Sequence, residues 1–278
     1  MADFRIIADS CCDVTPELKE KWQVETVPLM LRLGDDEYVD DDTLNLPSFM
    51  EKMKACTQKV GTAAPAPALF QEAFLKAKRS FAVVLSSQLS ATYESAMTGA
   101  RAALEEGAEY VHVFDSKSGC AAEVLLVCKV RELINAKLNA EAIVEKMEKF
   151  ISEMKTYFVL QNYDNLLKNG RLNWITERIV SILNIRLIMG ADKEGRIAVY
   201  RKARGEKQML EKMLTLIKES GKATKDAVMV ISHCNNFAVA QRLCDAVKSH
   251  FDFREIHVVP TGGLSSLYAD DQGVVMAF

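Results

Sequence analysis

Between Phe81 and Ala96 the chain reads F-A-V-V-L-S-S-Q-L-S-A-T-Y-E-S-A. Phe81 to Leu85 is a short apolar run of the kind that forms a strand buried on both faces of a parallel sheet. Ser86, Ser87, Ser90 and Thr92 follow at once, and from about Thr92 the spacing turns helical. Tyr93, Ala96, Ala100 and Ala103 share one face, and Glu94 suits the positive end of the first turn. A strand that hands over to a helix commits this part of the chain to an α/β fold. It also gathers hydroxyls beside helix amides that lack intrahelical partners, a cradle for a carboxylate or a phosphate. The plainer reading is that Ser90 or Thr92 serves only as an N-cap.

The same alternation recurs. Phe4 to Ala8 reads as a strand ending in Asp9-Ser10-Cys11-Cys12-Asp13, and Thr15-Pro16 opens a helix. Val24 to Leu33 reads as one strand, turning at Gly34 into a hairpin with Glu37 to Val39. Gly61 to Pro67 reads as a loop by its Gly and Pro content, and Tyr110 to Phe114 and Ala121 to Ala136 give a further strand and helix. After residue 150 the pattern changes. Ile185 to Met189 and Ile197 to Arg201 flank Asp192-Lys193-Glu194-Gly195, and a strand pair joined by a tight turn is antiparallel. With 278 residues there is room for two cores. The expected fold is α/β in two domains: residues 1–150 as three-layer α/β/α around a mostly parallel sheet, and residues 151–278 as α/β around a mixed sheet.

Composition removes several classes. A net charge of −3 argues against general nucleic-acid binding. There is no apolar run of membrane-spanning length, and Met-Ala-Asp-Phe-Arg is no signal peptide, so the cytoplasm is expected. Seven cysteines without a C-x-x-C pair suit reduced thiols, and four histidines lack metal-ligand spacing, so no metal site is expected.

Three strands end in small polar residues: Asp9-Ser10, Ser86-Ser87 and Asp115-Ser116-Lys117-Ser118-Gly119. Ligands of open parallel sheets bind beyond the carboxyl ends of the strands, so these loops and Thr62 are expected to converge, although turns favour the same residue types. Neither a phosphate-binding G-x-x-x-x-G-K-[ST] nor G-x-G-x-x-G nor G-x-S-x-G is present. A hydrolase or transferase using Ser90 with Lys117 or Tyr268 remains an alternative, as does a binding module for another small anion. Arg171, Arg186, Arg196, Arg201, Lys202, Arg204 and Lys207 concentrate basic charge, which reads either as a solvated face or as a docking surface for an acidic partner.

Several of these segments resemble the DegV family, whose characterised members are the fatty-acid-binding subunits of bacterial fatty acid kinase. Asp9-Ser10-Cys11-Cys12-Asp13 is similar to its D-S-x-x-D. Thr62 to Pro67 resembles T-S-x-P-S-P, and Leu85 to Tyr93 resembles I-S-S-x-L-S-G-T-Y with Ala91 for the glycine. Asp115 to Gly119 is similar to the start of D-S-x-x-x-S-x-G-x-G, Leu167 to Leu172 to L-x-K-G-G-R-I, and Lys202 to Gly205 to K-x-R-[GT].

The resemblance implies one long-chain fatty acid between the two domains, with its head in residues 1–150 and its tail in 151–278. Thr62, Ser90 and the amide of Ala91 would hold the carboxylate. A separate ATP-dependent kinase would make the acyl phosphate, with Arg171 and Arg204 serving its docking. The chain itself would have neither catalytic residues nor a cofactor. Ile175, Ile179, Ile182, Leu183, Leu187 and Ile188 are candidates for the tail channel, although most of them suit an ordinary core equally well. One departure stands out. The family's terminal H-T-G-P-G falls here on Tyr268-Ala269-Asp270-Asp271-Gln272. Tyr268 would then replace the histidine of the carboxylate network, its hydroxyl acting as donor. Asp270 and Asp271, if turned inward, would repel the head.

Overall fold

A computed structural model describes residues 4–172 and 185–278. The first strands are β1 (Phe4–Asp9) and β2 (Val24–Val27), separated by helix α1 (Pro16–Trp22). A hairpin follows, β3 (Met30–Leu33) and β4 (Asp36–Val39), then α2 (Leu46–Ala55), β5 (Val60–Ala63) and α3 (Pro67–Leu75). The chain continues through β6 (Arg79–Val84), α4 (Thr92–Glu106), β7 (Tyr110–Asp115), α5 (Ala121–Asn135) and α6 (Ala140–Glu153). Next come β8 (Thr156–Val159), α7 (Asp164–Lys168), β9 (Ile185–Ala191), β10 (Ile197–Arg204) and α8 (Gly205–Glu219). The last elements are β11 (Val228–His233), α9 (Phe237–His250), β12 (Glu255–Pro260), α10 (Gly263–Ala269) and β13 (Val274–Ala277).

The strands form three sheets. One is wholly parallel, in the order β2-β1-β6-β7. The second is mixed, in the order β10-β9-β8-β13-β11-β12, with only β11 and β12 parallel. The third is antiparallel, β4-β3-β5.

Alternation along the strands sets the layers, because successive side chains leave opposite faces. Ile6, Ala8, Phe81 and Val83 point to α5, whereas Ile7, Ala82 and Val84 meet the layer of α3 and α4. In the mixed sheet Val230, Val275 and Ala277 face α5, whereas Met229, Ile231, Val274 and Met276 face α8 and α9. Helix α5 therefore lies between two sheets. Its residues Ala121 to Cys128 are all buried, the signature of a helix enclosed on every side. The architecture is α/β, with a parallel sheet and a mixed sheet each covered by helices on both faces.

Two local readings change, and one helix has no reading in the sequence. The stretch 24–33 is two strands, broken at Pro28, whose missing N–H cannot extend a ladder. The Gly61–Pro67 loop begins as strand: β5 pairs with β3, Leu31 opposite Thr62, and the chain leaves the sheet only beyond Ala63, as the prolines approach. Gly262-Gly263 opens a helix, α10, because its first amides find buried acceptors described below. Ile175, Ile179, Ile182 and Leu183 lie outside the described residues. Leu187 points to the core beside the antiparallel sheet and Ile188 to the opposite face, so these two do not line one channel.

Because α5 supplies the inner face of both sheets, unfolding should be one cooperative event. Leu126→Ala, at a fully buried position, is expected to cost about 2–5 kcal/mol in a urea melt and to leave a single transition seen alike by fluorescence and circular dichroism.

Candidate functional site

An apolar cleft of about 110 Å³ lies between the loops that follow the parallel strands, the mixed sheet and α10. Leu85 and Leu89 line it from the loop after β6, Phe158 and Leu160 from β8 and the residue following it, Ile197 from β10 and Leu264 from α10. Where Ser118 and Thr156 interrupt this surface they satisfy each other, Ser118 Oγ donating to Thr156 Oγ1 at 2.8 Å. The tip of the β9–β10 turn closes over the loop, with Ser86 Oγ donating to the carbonyl of Gly195 at 2.8 Å. A side chain at Gly195 would strike Ser86 and Lys117, and its φ of +90° is one that glycine adopts without strain.

The sequence candidates sit at or beside this cleft. Tyr268 and Arg171 line it. Tyr268 shares a hydrogen bond with Thr62, OH to Oγ1 at 2.9 Å, joining α10 to β5 across 206 residues of sequence. The Arg171 guanidinium lies 5.7 Å from the Tyr268 ring centroid and donates to the carbonyls of Leu89 (3.1 Å) and Asn169 (2.6 Å). Ser90 follows Leu89, and its Oγ shares a 2.8 Å hydrogen bond with Thr92 Oγ1. Ala91 takes the N-cap position of α4, which has no side-chain cap, so neither Ser90 nor Thr92 is the cap residue. Arg204 is elsewhere, exposed at the end of edge strand β10, its N–H donating to Gln208 Oε1.

Asn165 and Asn169 knit these parts together, although only Asn169 falls within a segment singled out by sequence. Asn165 Nδ2 donates to the carbonyl of Leu267, next to Tyr268, at 2.8 Å. Asn169 Nδ2 donates to the carbonyl of Val60, two residues before Thr62, at 2.9 Å. Ser95 Oγ donates to the carbonyl of Pro65 and so ties the Thr62 segment to α4.

Asp270 and Asp271 do not line the cleft. Asn162 Nδ2 donates to Asp270, and Asp271 pairs with Lys54 and accepts from Asn235 Nδ2. The loop nonetheless has left-handed backbone at Asp270 (φ 52°) and Gln272 (φ 70°), in the segment where the resemblance sets glycines.

Beneath the cleft lies a set of buried acids. Asp9 accepts from the amides of Cys11 (2.8 Å) and Leu85 (2.7 Å), Asp13 from that of Gly262 (2.9 Å) and Asp40 from that of Leu264 (2.9 Å). Burial pushes each carboxyl up to about 6, against the pull of those amides. Glu123 on α5 is fully buried with neither carboxyl oxygen hydrogen-bonded among the described residues, and burial holds it well above the usual carboxylate range. Asp9, Cys11 and Glu123 bring their donor atoms within 4.8 Å of one another, the described set nearest to a metal-ligand constellation. Both Asp9 oxygens already accept main-chain amides, and all three groups are shifted toward their protonated forms, Asp9 and Glu123 by burial and Cys11 by the neighbouring Cys120 thiol and by burial.

Chemically, the cleft pairs apolar walls with a few hydroxyls and the guanidinium groups of Arg171 and Arg196, Arg171 lying against Tyr268. Among the described residues, the side chain bonded to Ser90 Oγ is that of Thr92, whose hydroxyl is not a general base.

These features define an α/β protein with an apolar cleft whose walls come from two sheets. The DegV family model, described as "Uncharacterised protein, DegV family", matches residues 3–277. The chain belongs to this family. It is 36% identical over 279 residues to a DegV domain-containing protein of Streptococcus gordonii, covering 99% of this chain and 98% of that one. Among solved structures it is similar to a DegV family protein from Ruminococcus gnavus refined with vaccenic acid, at 35% identity and TM-score 0.94, with 99% of each chain covered. It is also similar to the Streptococcus pneumoniae Fatty Acid Kinase (Fak) B3 protein loaded with linoleic acid, at 32% identity and TM-score 0.90, covering 100% of this chain and 99% of that one. No helix among the described residues is long and apolar enough to cross a membrane.

The buried acids predict a pH signature. A carboxyl raised in the folded state stabilises the fold fully below its unfolded pKa, and that contribution is lost as pH rises through the folded value. For Asp13 the window runs from 3.8 to about 6. The stability of the parent minus that of Asp13→Asn should therefore fall between pH 4 and 6, by up to about 3 kcal/mol, and stay flat above pH 7. Urea midpoints measured at each pH check this.

Proposed function

We propose that the protein binds one long-chain fatty acid in the cleft and presents its carboxylate to a separate ATP-dependent kinase, which forms the acyl phosphate. The observation that carries this reading is the Thr62–Tyr268 hydroxyl pair at a cleft with apolar walls. The fatty acids carried by the Ruminococcus gnavus and Streptococcus pneumoniae proteins support it, and the kinase named in the latter supports the partner.

On this reading residues 1–150 supply most of the head site, joined by Tyr268, and 151–278 most of the tail pocket, joined by the loop after β6. The carboxylate accepts hydrogen bonds from Thr62, Ser90, the amide of Ala91 and Tyr268. Arg171 lends positive charge nearby and backs the Tyr268 ring. The tail lies between the loop after β6 and the mixed sheet, where each buried methylene contributes about 0.8 kcal/mol before ordering costs. Affinity comes mainly from the tail and orientation from the head. Arg171 and the exposed Arg204 are candidates for kinase docking, with Arg171 also serving the site. The protein acts as a carrier without a cofactor or a catalytic group of its own, in the cytoplasm.

Native mass spectrometry of the purified protein should find one fatty acid per chain. Ser90→Ala and Thr62→Val should each weaken binding by about 1–3 kcal/mol, the loss expected for a hydrogen bond to a charged group. A co-purifying anion without an acyl tail would replace this reading with that of a small-anion module, and unchanged affinity in both variants would move the head elsewhere.

A further inference from the structure

Helix α10 has only seven residues, yet it carries Tyr268. So short a helix has little stability of its own, and its first amides have no intrahelical acceptors. No side chain of α10 or of its N-cap Gly262 caps it. Its acceptors come instead from the other end of the chain. Asp13 Oδ1 accepts from the Gly262 amide at 2.9 Å, and Asp40 Oδ2 from the Leu264 amide at 2.9 Å, across 249 and 224 residues. Both aspartates are buried, 3% and 7% exposed. Ser265 Oγ adds a bond to the carbonyl of Cys11. The approach is close enough that a Cβ at Gly263 would lie 2.2 Å from Asp40 Oδ1. Four residues beyond Leu264, one turn along the helix, is Tyr268, which bonds to Thr62.

We propose that Asp13 and Asp40 are positioning residues: two buried carboxylates from residues 1–150 that clamp the first turn of α10 and thereby fix the Tyr268 hydroxyl at the head of the cleft. The inference deepens the fatty-acid reading and rests on it. A carboxylate ligand needs donors held in place before it arrives, because ordering them on binding would consume affinity. A seven-residue helix left to fray would not hold one. Removing an acceptor also leaves a buried N–H unsatisfied, which costs more than the bond itself contributed.

The test is a mutant cycle read by titrating a fluorescent fatty acid into the full-length protein. Asp40→Ala should weaken binding about tenfold, comparable to losing one hydrogen bond to a charged group. Gly263→Ala, which keeps both carboxylates but puts a methyl group where Asp40 approaches, should do the same. Asp13→Ala should also weaken binding, and Asp13→Asn should restore it to within about threefold, since its amide oxygen still accepts from Gly262. In a Tyr268→Phe background Asp40→Ala should change affinity by less than about twofold, because the hydroxyl it positions is gone. Equal losses with and without the Tyr268 hydroxyl, or full affinity in both Asp40→Ala and Gly263→Ala, would overturn the clamp. Should Asp40→Ala fail to fold, Gly263→Ala and the Asp13 pair carry the same comparison. If the parent binds no fatty acid at all, the functional reading fails, an outcome distinct from an intact ligand site with no coupling to Tyr268.

Discussion

Helix α5 has no solvent face over its first eight residues, and the rest of the fold follows from that. An apolar helix of this kind must be covered all round, and here the parallel sheet covers one side and the mixed sheet the other. Each sheet needs a helical layer on its inner face to bury its alternating side chains, and one helix serves both. The two sheets are therefore joined by shared apolar area, and the cleft forms beside that junction. Glu123, on the same helix, is the exception in an otherwise apolar surface, and it faces Asp9 and Cys11 beneath the cleft.

The cleft and the residues that brace it come from segments far apart in sequence. Thr62 comes from the antiparallel sheet, Leu89 from the loop after β6, Arg171 from the turn after α7 and Tyr268 from α10. Asn165 and Asn169 hold these pieces together by donating to main-chain carbonyls, which fixes backbone and side chains alike. Hydroxyl donors at one end and apolar side chains along the walls suit a ligand that is charged at one end only.

Much of this was legible in the sequence because it is locally encoded. The apolar run at Phe81, the hydroxyls after it and the helix at Thr92 lie within sixteen residues, and the structure keeps that order. The alternation of strands and helices gave the layer class, and the Asp192–Gly195 turn signalled the antiparallel pair. What was not legible depends on distant partners. Strand β5 reads as a loop until β3 pairs with it, and the short helix after Gly262 has no signal until Asp13 and Asp40 accept its amides. Asp40 carries no local signal at all, since its role arises from a contact 224 residues away.

The segment before the last strand takes up left-handed backbone at two positions that are not glycine. Glycine reaches left-handed backbone freely, but Asp270 and Gln272 adopt it at a cost of about 1 kcal/mol or more each. Asn162 and Asn235 grip this bend from outside, and β13 still enters the sheet in register. Side-chain chemistry on that rim is thus decoupled from the path of the main chain. Evolution can recolour the outer surface there while the interior it borders keeps its shape.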